Sequence, residues 1–98
     1  MKTLSEIRTD LKHIRLYHRY RQKISHPSKI IVIPNLKNSL KIYANTIKTA
    51  RKPLQRTYDG LYIRVLTQKA LALEWGVTEK YIQILNKRLI LLFQNVVD

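Results

Sequence analysis

The 98-residue chain has no cysteine, which excludes a disulfide framework, a thiolate zinc site and a thiol nucleophile. Its two glycines, Gly60 and Gly76, are too few for a loop that cradles phosphate with backbone N–H groups. Acids are scarce as well: six Asp and Glu stand against 19 Lys and Arg. Glu6 and Asp10 lie one helical turn apart, but between bases that neutralise them, so no acid–base pair for a hydrolase is evident. His13 and His18 do not share a helix face, and no third ligand accompanies them. No metal or other cofactor is therefore expected. No apolar run approaches the ~20 residues of a membrane span, and the start of the chain lacks an apolar signal segment. These gaps point away from an enzyme and from a membrane protein.

What remains is charge and periodicity. The net charge is +13 and the isoelectric point is near 10.4, so the expected partner is anionic, with nucleic acid first. With 45% apolar residues, the chain is not a disordered basic tail. The size scaling lets about 65% of the unfolded surface be buried, enough for one modest core. The charge is unevenly spread: +11 of it precedes Pro53, which leaves the remainder nearly neutral. The reading is an all-α chain with a basic helical region over 1–52 and a helix-turn-helix region over 53–98, folded together.

Leu4, Ile7, Leu11 and Ile14 recur at spacings of three and four, which predicts an amphipathic helix from Leu4 to Lys23. Arg8, Lys12, Arg15, Arg19 and Lys23 form a basic stripe beside the apolar one and are candidate phosphate contacts. Thr3 and Glu6 have the spacing of a capping box. Pro27 breaks the helix, and Ile30 to Ile33 reads as an extended segment or solitary strand. Asn35 suits the N-cap of a second helix with Leu36, Leu40, Tyr43, Ala44 and Ile47 on one face. Pro53 ends that helix and can start a third. Leu54, Tyr58, Leu61, Tyr62 and Val65 predict this third helix as continuous, although Gly60 weakens it.

The stretch from Thr67 to Lys87 meets the requirements of a helix-turn-helix. Thr67 caps a short helix whose inward face is Leu71 and Trp75. Ala72 is small, as a close helix crossing needs. Gly76 supplies a left-handed residue that ends the helix, and Val77 is expected to plug the turn into the core. Thr78 caps the second helix, which Ile82 and Leu85 anchor. An ordinary helical hairpin would need only the glycine and some periodicity. As a recognition helix, the second presents Thr78, Glu79, Lys80, Gln83, Ile84 and Lys87 to base edges in the major groove. Gln68 and Lys69 then stand at the start of the first helix, suited to a phosphate. Ile82, Leu85, Leu89, Leu92 and Val96 continue the apolar stripe to the end of the chain. Either the first helix folds back on it or a second copy covers it as a homodimer.

The segment from residue 53 to residue 94 resembles the C-terminal helix-turn-helix of sigma factors. It resembles still more the small sigma-like transcriptional regulators of phages and prophages of Gram-positive bacteria, the ArpU family. Tyr58, Leu61, Tyr62, Thr67, Gln68, Leu71, Ala72, Gly76, Val77, Tyr81, Ile82 and Gln83 carry the likeness. Trp75 departs from the small aliphatic usual there. The resemblance implies sequence-specific promoter binding on double-stranded DNA, contact with RNA polymerase, and a bacterial host cytoplasm as the setting. Two alternatives stand beside transcriptional regulation. One is a protein-interaction module that binds RNA polymerase or a host factor with little DNA binding. The other is RNA binding by the first helix, with Tyr17 and Tyr20 stacking on bases.

Overall fold

The first helix starts where two side chains close on each other's backbone. The Thr3 N–H donates to the Glu6 carboxylate, and the Glu6 N–H donates to the Thr3 hydroxyl, each at 3.1 Å. This reciprocal cap satisfies two donors that a helix start leaves free. The computed structural model describes residues 2–23 and 36–96, and within them every regular element is helical. The elements are α1 (Leu4–Lys23), α2 (Leu36–Ile47), α3 (Lys52–Tyr58), a π-helical turn (Asp59–Ile63), α4 (Gln68–Trp75) and α5 (Glu79–Val96). The Pro27 break, the Ile30 to Ile33 segment and the Asn35 cap lie outside the described residues. None of the helices described is long and apolar enough to cross a membrane.

The core is drawn from every element. Ile7, Leu11 and Ile14 of α1 are buried, whereas Leu4, the first of that stripe, stays 36% exposed. α1 lies against the π-turn and α5, and the chain itself buries Ile82, Leu85 and Leu89 of the α5 stripe, whereas Val96 at its end is 56% exposed. Tyr43 of α2 is fully buried; its ring meets Phe93 of α5 edge-on with centroids 4.7 Å apart. The Tyr43 hydroxyl donates to the Asp10 carboxylate at 2.7 Å, and Asp10 also pairs with Lys2. Burial, then the Asp10 hydrogen bond, push the Tyr43 phenol far above its ordinary pKa.

Two expectations for the third helix change. Pro53 stands in the first turn of α3, as its fixed φ favours. The helix is not continuous, however. After Tyr58 the chain widens into the π-turn, with the Arg64 N–H donating to the Asp59 carbonyl at 2.8 Å, five residues back. The turn is closely packed at Gly60. A Cβ built there would meet a Leu71 methyl at 2.6 Å, so the Leu71 side chain of α4 rests on the backbone of the turn and would have to shift for any larger residue at position 60. Val65 then takes φ +61°, a left-handed conformation costly for a β-branched residue, and is not part of a helix.

Between α4 and α5 the chain turns in three residues. The Thr67 hydroxyl accepts from the Ala70 N–H at 3.0 Å and caps α4. Gly76, at φ +68°, ends it, and the Val77 N–H donates to the Ala72 carbonyl at 3.0 Å in the pattern of a left-handed helix stop. The Thr78 hydroxyl accepts from the Tyr81 N–H at 3.1 Å and opens α5. Leu71, Ala72, Ile82 and Leu85 are buried as expected, and Trp75 is partly so. Val77 is a correction: it is 37% exposed and does not plug the core. The short turn holds its backbone at the surface while Leu71 and Ile82 fill the space beneath.

An added Cβ at Gly76 has no neighbour within 4 Å, so Gly76→Ala costs only backbone strain. Chemical denaturation should show a loss of about 1–2 kcal/mol. Burial pushes the phenols of Tyr58 and Tyr62 up to about 12 from an ordinary 10.0. Their folded pKa values exceed the unfolded ones, so this part of the stability is intact below pH 10 and is lost as the pH rises towards 12. A pH titration of the unfolding midpoint should fall in that window. Tyr58→Phe should make the fall shallower.

Candidate nucleic-acid interface

The N-terminal half of α5 turns six side chains outward. Thr78, Glu79, Lys80, Gln83, Ile84 and Lys87 are all exposed, the set expected to read bases. Gln83 and Lys87 lie one turn apart on a single face, and Lys80 stands one turn before them, towards the α4–α5 turn. Thr78 already spends one acceptor on the helix cap; its O–H is still able to donate. Ile84, at 41% exposure, is an apolar contact among polar neighbours, suited to a thymine methyl.

Helix α1 lies along one flank of this face. Arg8 and Lys87 line a small groove with Leu4, Ile90 and Leu91, which brings the basic stripe of α1 beside the outer face of α5. Further along, Arg15, Tyr62, Thr67, Gln68 and Asn86 share a cleft of about 320 Å³ with Leu61 and Leu66. The N-terminal end of α4 opens into that cleft. Gln68 is partly exposed and Lys69 exposed. Burial dominates the raised pKa of Tyr62, while its hydrogen bond with Asn86 and the charges of Arg15 and Arg8 act in the opposite direction. Arg8, Lys12 and Arg19 are exposed; the Lys23 side chain lies outside the described residues.

Arg15 differs from the rest of its stripe. One of its guanidinium nitrogens donates to the carbonyls of Leu61 and Leu66, the latter at 2.9 Å. The expected phosphate contact is therefore first an internal tie, from α1 to the middle of the π-turn and to the residue before the Thr67 cap of α4. Its charge still stands at the edge of the cleft. Periodicity places Arg15 on the stripe but says nothing about carbonyls 46 and 51 residues away. Nor does it point to Asn86, which accepts the Tyr62 hydroxyl hydrogen bond and so links α5 to the π-turn. An asparagine facing a tyrosine one helix away leaves no pattern that a single sequence can reveal.

Of the two tyrosines in the RNA alternative, Tyr17 is already engaged. Tyr17 is partly buried, meets His18 edge-on and accepts a 3.4 Å hydrogen bond from Arg21, while Tyr20 is partly buried as well. Burial, then the neighbouring Arg21, lower the pKa of His18. On the far side of α4, Arg64 holds Glu74 through two hydrogen bonds, at 2.9 and 3.0 Å, and keeps its carboxyl below the usual range. Arg56 sits over the Trp75 ring at 4.4 Å, so the unusual tryptophan serves as a platform for a cation as well as a core residue. Among the described residues no group of three His, Asp or Glu is arranged to hold a metal ion. Comparison with protein-family models, with curated proteins and with solved structures finds no match.

The tie makes Arg15 and Arg19 unequal. Arg15→Ala leaves two carbonyls without their donor and should cost about 1–3 kcal/mol of stability in denaturant melts. Arg19 is exposed, so Arg19→Ala should stay within about 0.5 kcal/mol of the parent.

Proposed function

We propose that the chain is a sequence-specific double-stranded DNA-binding transcriptional regulator, with α4 and α5 acting as a helix-turn-helix. One observation carries this reading. A three-residue turn, capped at both ends, presents Thr78, Glu79, Lys80, Gln83, Ile84 and Lys87 outward beside a basic helix. Six outward residues near the start of a helix match what base reading in a major groove requires. The likeness to sigma-like phage and prophage regulators supports the same assignment.

The division of labour follows from the chemistry. Gln83 has the amide geometry for bidentate pairing with adenine, Lys80 for guanine or phosphate, and Glu79 for the amino group of cytosine. Gln68, Lys69 and the exposed bases of α1 supply phosphate contacts, which set register and orientation and carry no sequence information. Arg15 adds charge to that wall from a fixed position.

A second reading is an interaction module for RNA polymerase. Leu91 and Val96 favour it: they are 49% and 56% exposed on the half of α5 beyond the reading residues. Pull-down with purified polymerase, with and without Leu91→Ser, tests it.

Selection from a library of random duplexes should enrich one recurring motif. Gln83→Ala should relax a single position of that motif, costing about 1–3 kcal/mol against the preferred base. Selection that returns no motif above background would falsify the regulator assignment.

A further inference from the structure

The flank of α5 turned away from α1 carries a second basic surface. Arg51, just before α3, and Arg88 of α5 line a cleft of about 500 Å³ with Pro53, Leu54, Tyr81 and Leu85. Both arginines are exposed, and Tyr81 between them is 42% exposed. No acid lines the cleft, and Lys52 beside it is exposed too. Leu85 is buried and Leu54 partly buried, so the floor is firm and apolar while the rim is cationic.

The position of this cleft on α5 gives it meaning. Tyr81 and Arg88 are seven residues apart and share one side of the helix at ~100° per residue. Lys87 stands ~100° round from Arg88, on the side where Arg8 approaches. α1 and α3 therefore pack on opposite flanks of α5, and each brings an arginine to the rim. An α-helix with its side chains is about 10–12 Å across, close to the ~12 Å width of the major groove. Any group flanking a helix lodged there meets a sugar-phosphate wall.

Resting on the DNA-binding reading, we propose that Arg51 and Arg88 grip the phosphates of the second strand. They face, across the major groove, the phosphates that Arg8 and its neighbours meet on the first. The guanidinium fork matches phosphate oxygens bidentately, and the Tyr81 hydroxyl in the same cleft adds a donor. The helix between the basic flanks carries the amide and ammonium groups of Gln83 and Lys80. That order, wall, reader, wall, fits a duplex better than an acidic protein segment, which would need only one of the flanks.

The test is salt dependence on an unselected mixed-sequence duplex, followed by fluorescence anisotropy from about 50 to about 200 mM salt. Each phosphate that is no longer neutralised should lower the slope of log affinity against log salt by about 0.9, so R51A/R88A should lower it by about 1.8. R51K/R88K, which keeps the charge, should retain the parent slope. An unchanged slope in R51A/R88A while the parent protein binds duplex overturns the second-strand grip alone. A parent protein that binds no duplex overturns both the grip and the regulator assignment. A lysine pair as defective as the alanine pair, at the parent melting temperature, shows that the defect is not one of phosphate charge and also overturns the grip. So does a double alanine variant that loses binding to a polyglutamate peptide with its duplex slope intact.

Discussion

The approach of Leu71 to the backbone at Gly60 sets the geometry of the back half. Fully buried, Leu71 occupies the space that any side chain at position 60 would claim. At this contact α4 meets the π-turn, while Ala72 and Ile82 are buried in the same core. The outward set of residues on α5 is thus oriented by an apolar contact that touches none of them. A core contact of this kind acts at a distance because packed interiors transmit small displacements rather than absorbing them.

Arg15 joins that arrangement to the rest of the chain. Arg8, Lys12 and Arg19 of its stripe are exposed, but its guanidinium is held by carbonyls in the middle of the π-turn and just before the α4 cap. Two carbonyls left without helical partners by the irregular segment would otherwise need water or another donor. The strained φ of Val65 lies between them, so the tie crosses the segment where the backbone is least regular. The front half is therefore structural as well as cationic: it supplies both a wall of charge and a brace for the α4 start.

Much of this is legible in the sequence because it is local chemistry. The Thr3–Glu6 box, the caps at Thr67 and Thr78, the stop at Gly76 and Pro53 in a first turn each depend on groups within a few residues. The apolar stripe of α1 is legible from period alone. Features set by distant groups are not. The packing at Gly60 involves Leu71, the role of Arg15 involves Leu61 and Leu66, and that of Asn86 involves Tyr62. Val77 misleads because an apolar residue after a helix-ending glycine is often drawn inward, whereas here Leu71 and Ile82 already fill the space. For the interface, the outward residues of α5 follow from counting along a helix. That α1 and α3 bring arginines to opposite flanks does not.

The modest use of charge in holding the fold has a consequence for behaviour in solution. Cohesion comes from apolar burial and from Arg15 on neutral carbonyls, and the ion pairs described, Lys2–Asp10 and Arg64–Glu74, lie at or near the surface. Added salt screens exposed charges over about 3 Å at molar strength but leaves apolar contacts intact or strengthened. Surface charge and shape therefore answer to different variables: ionic strength weakens what the exposed arginines can attract and spares the scaffold that aims them. In such a chain a rise in salt quiets the surface and leaves the fold beneath it standing.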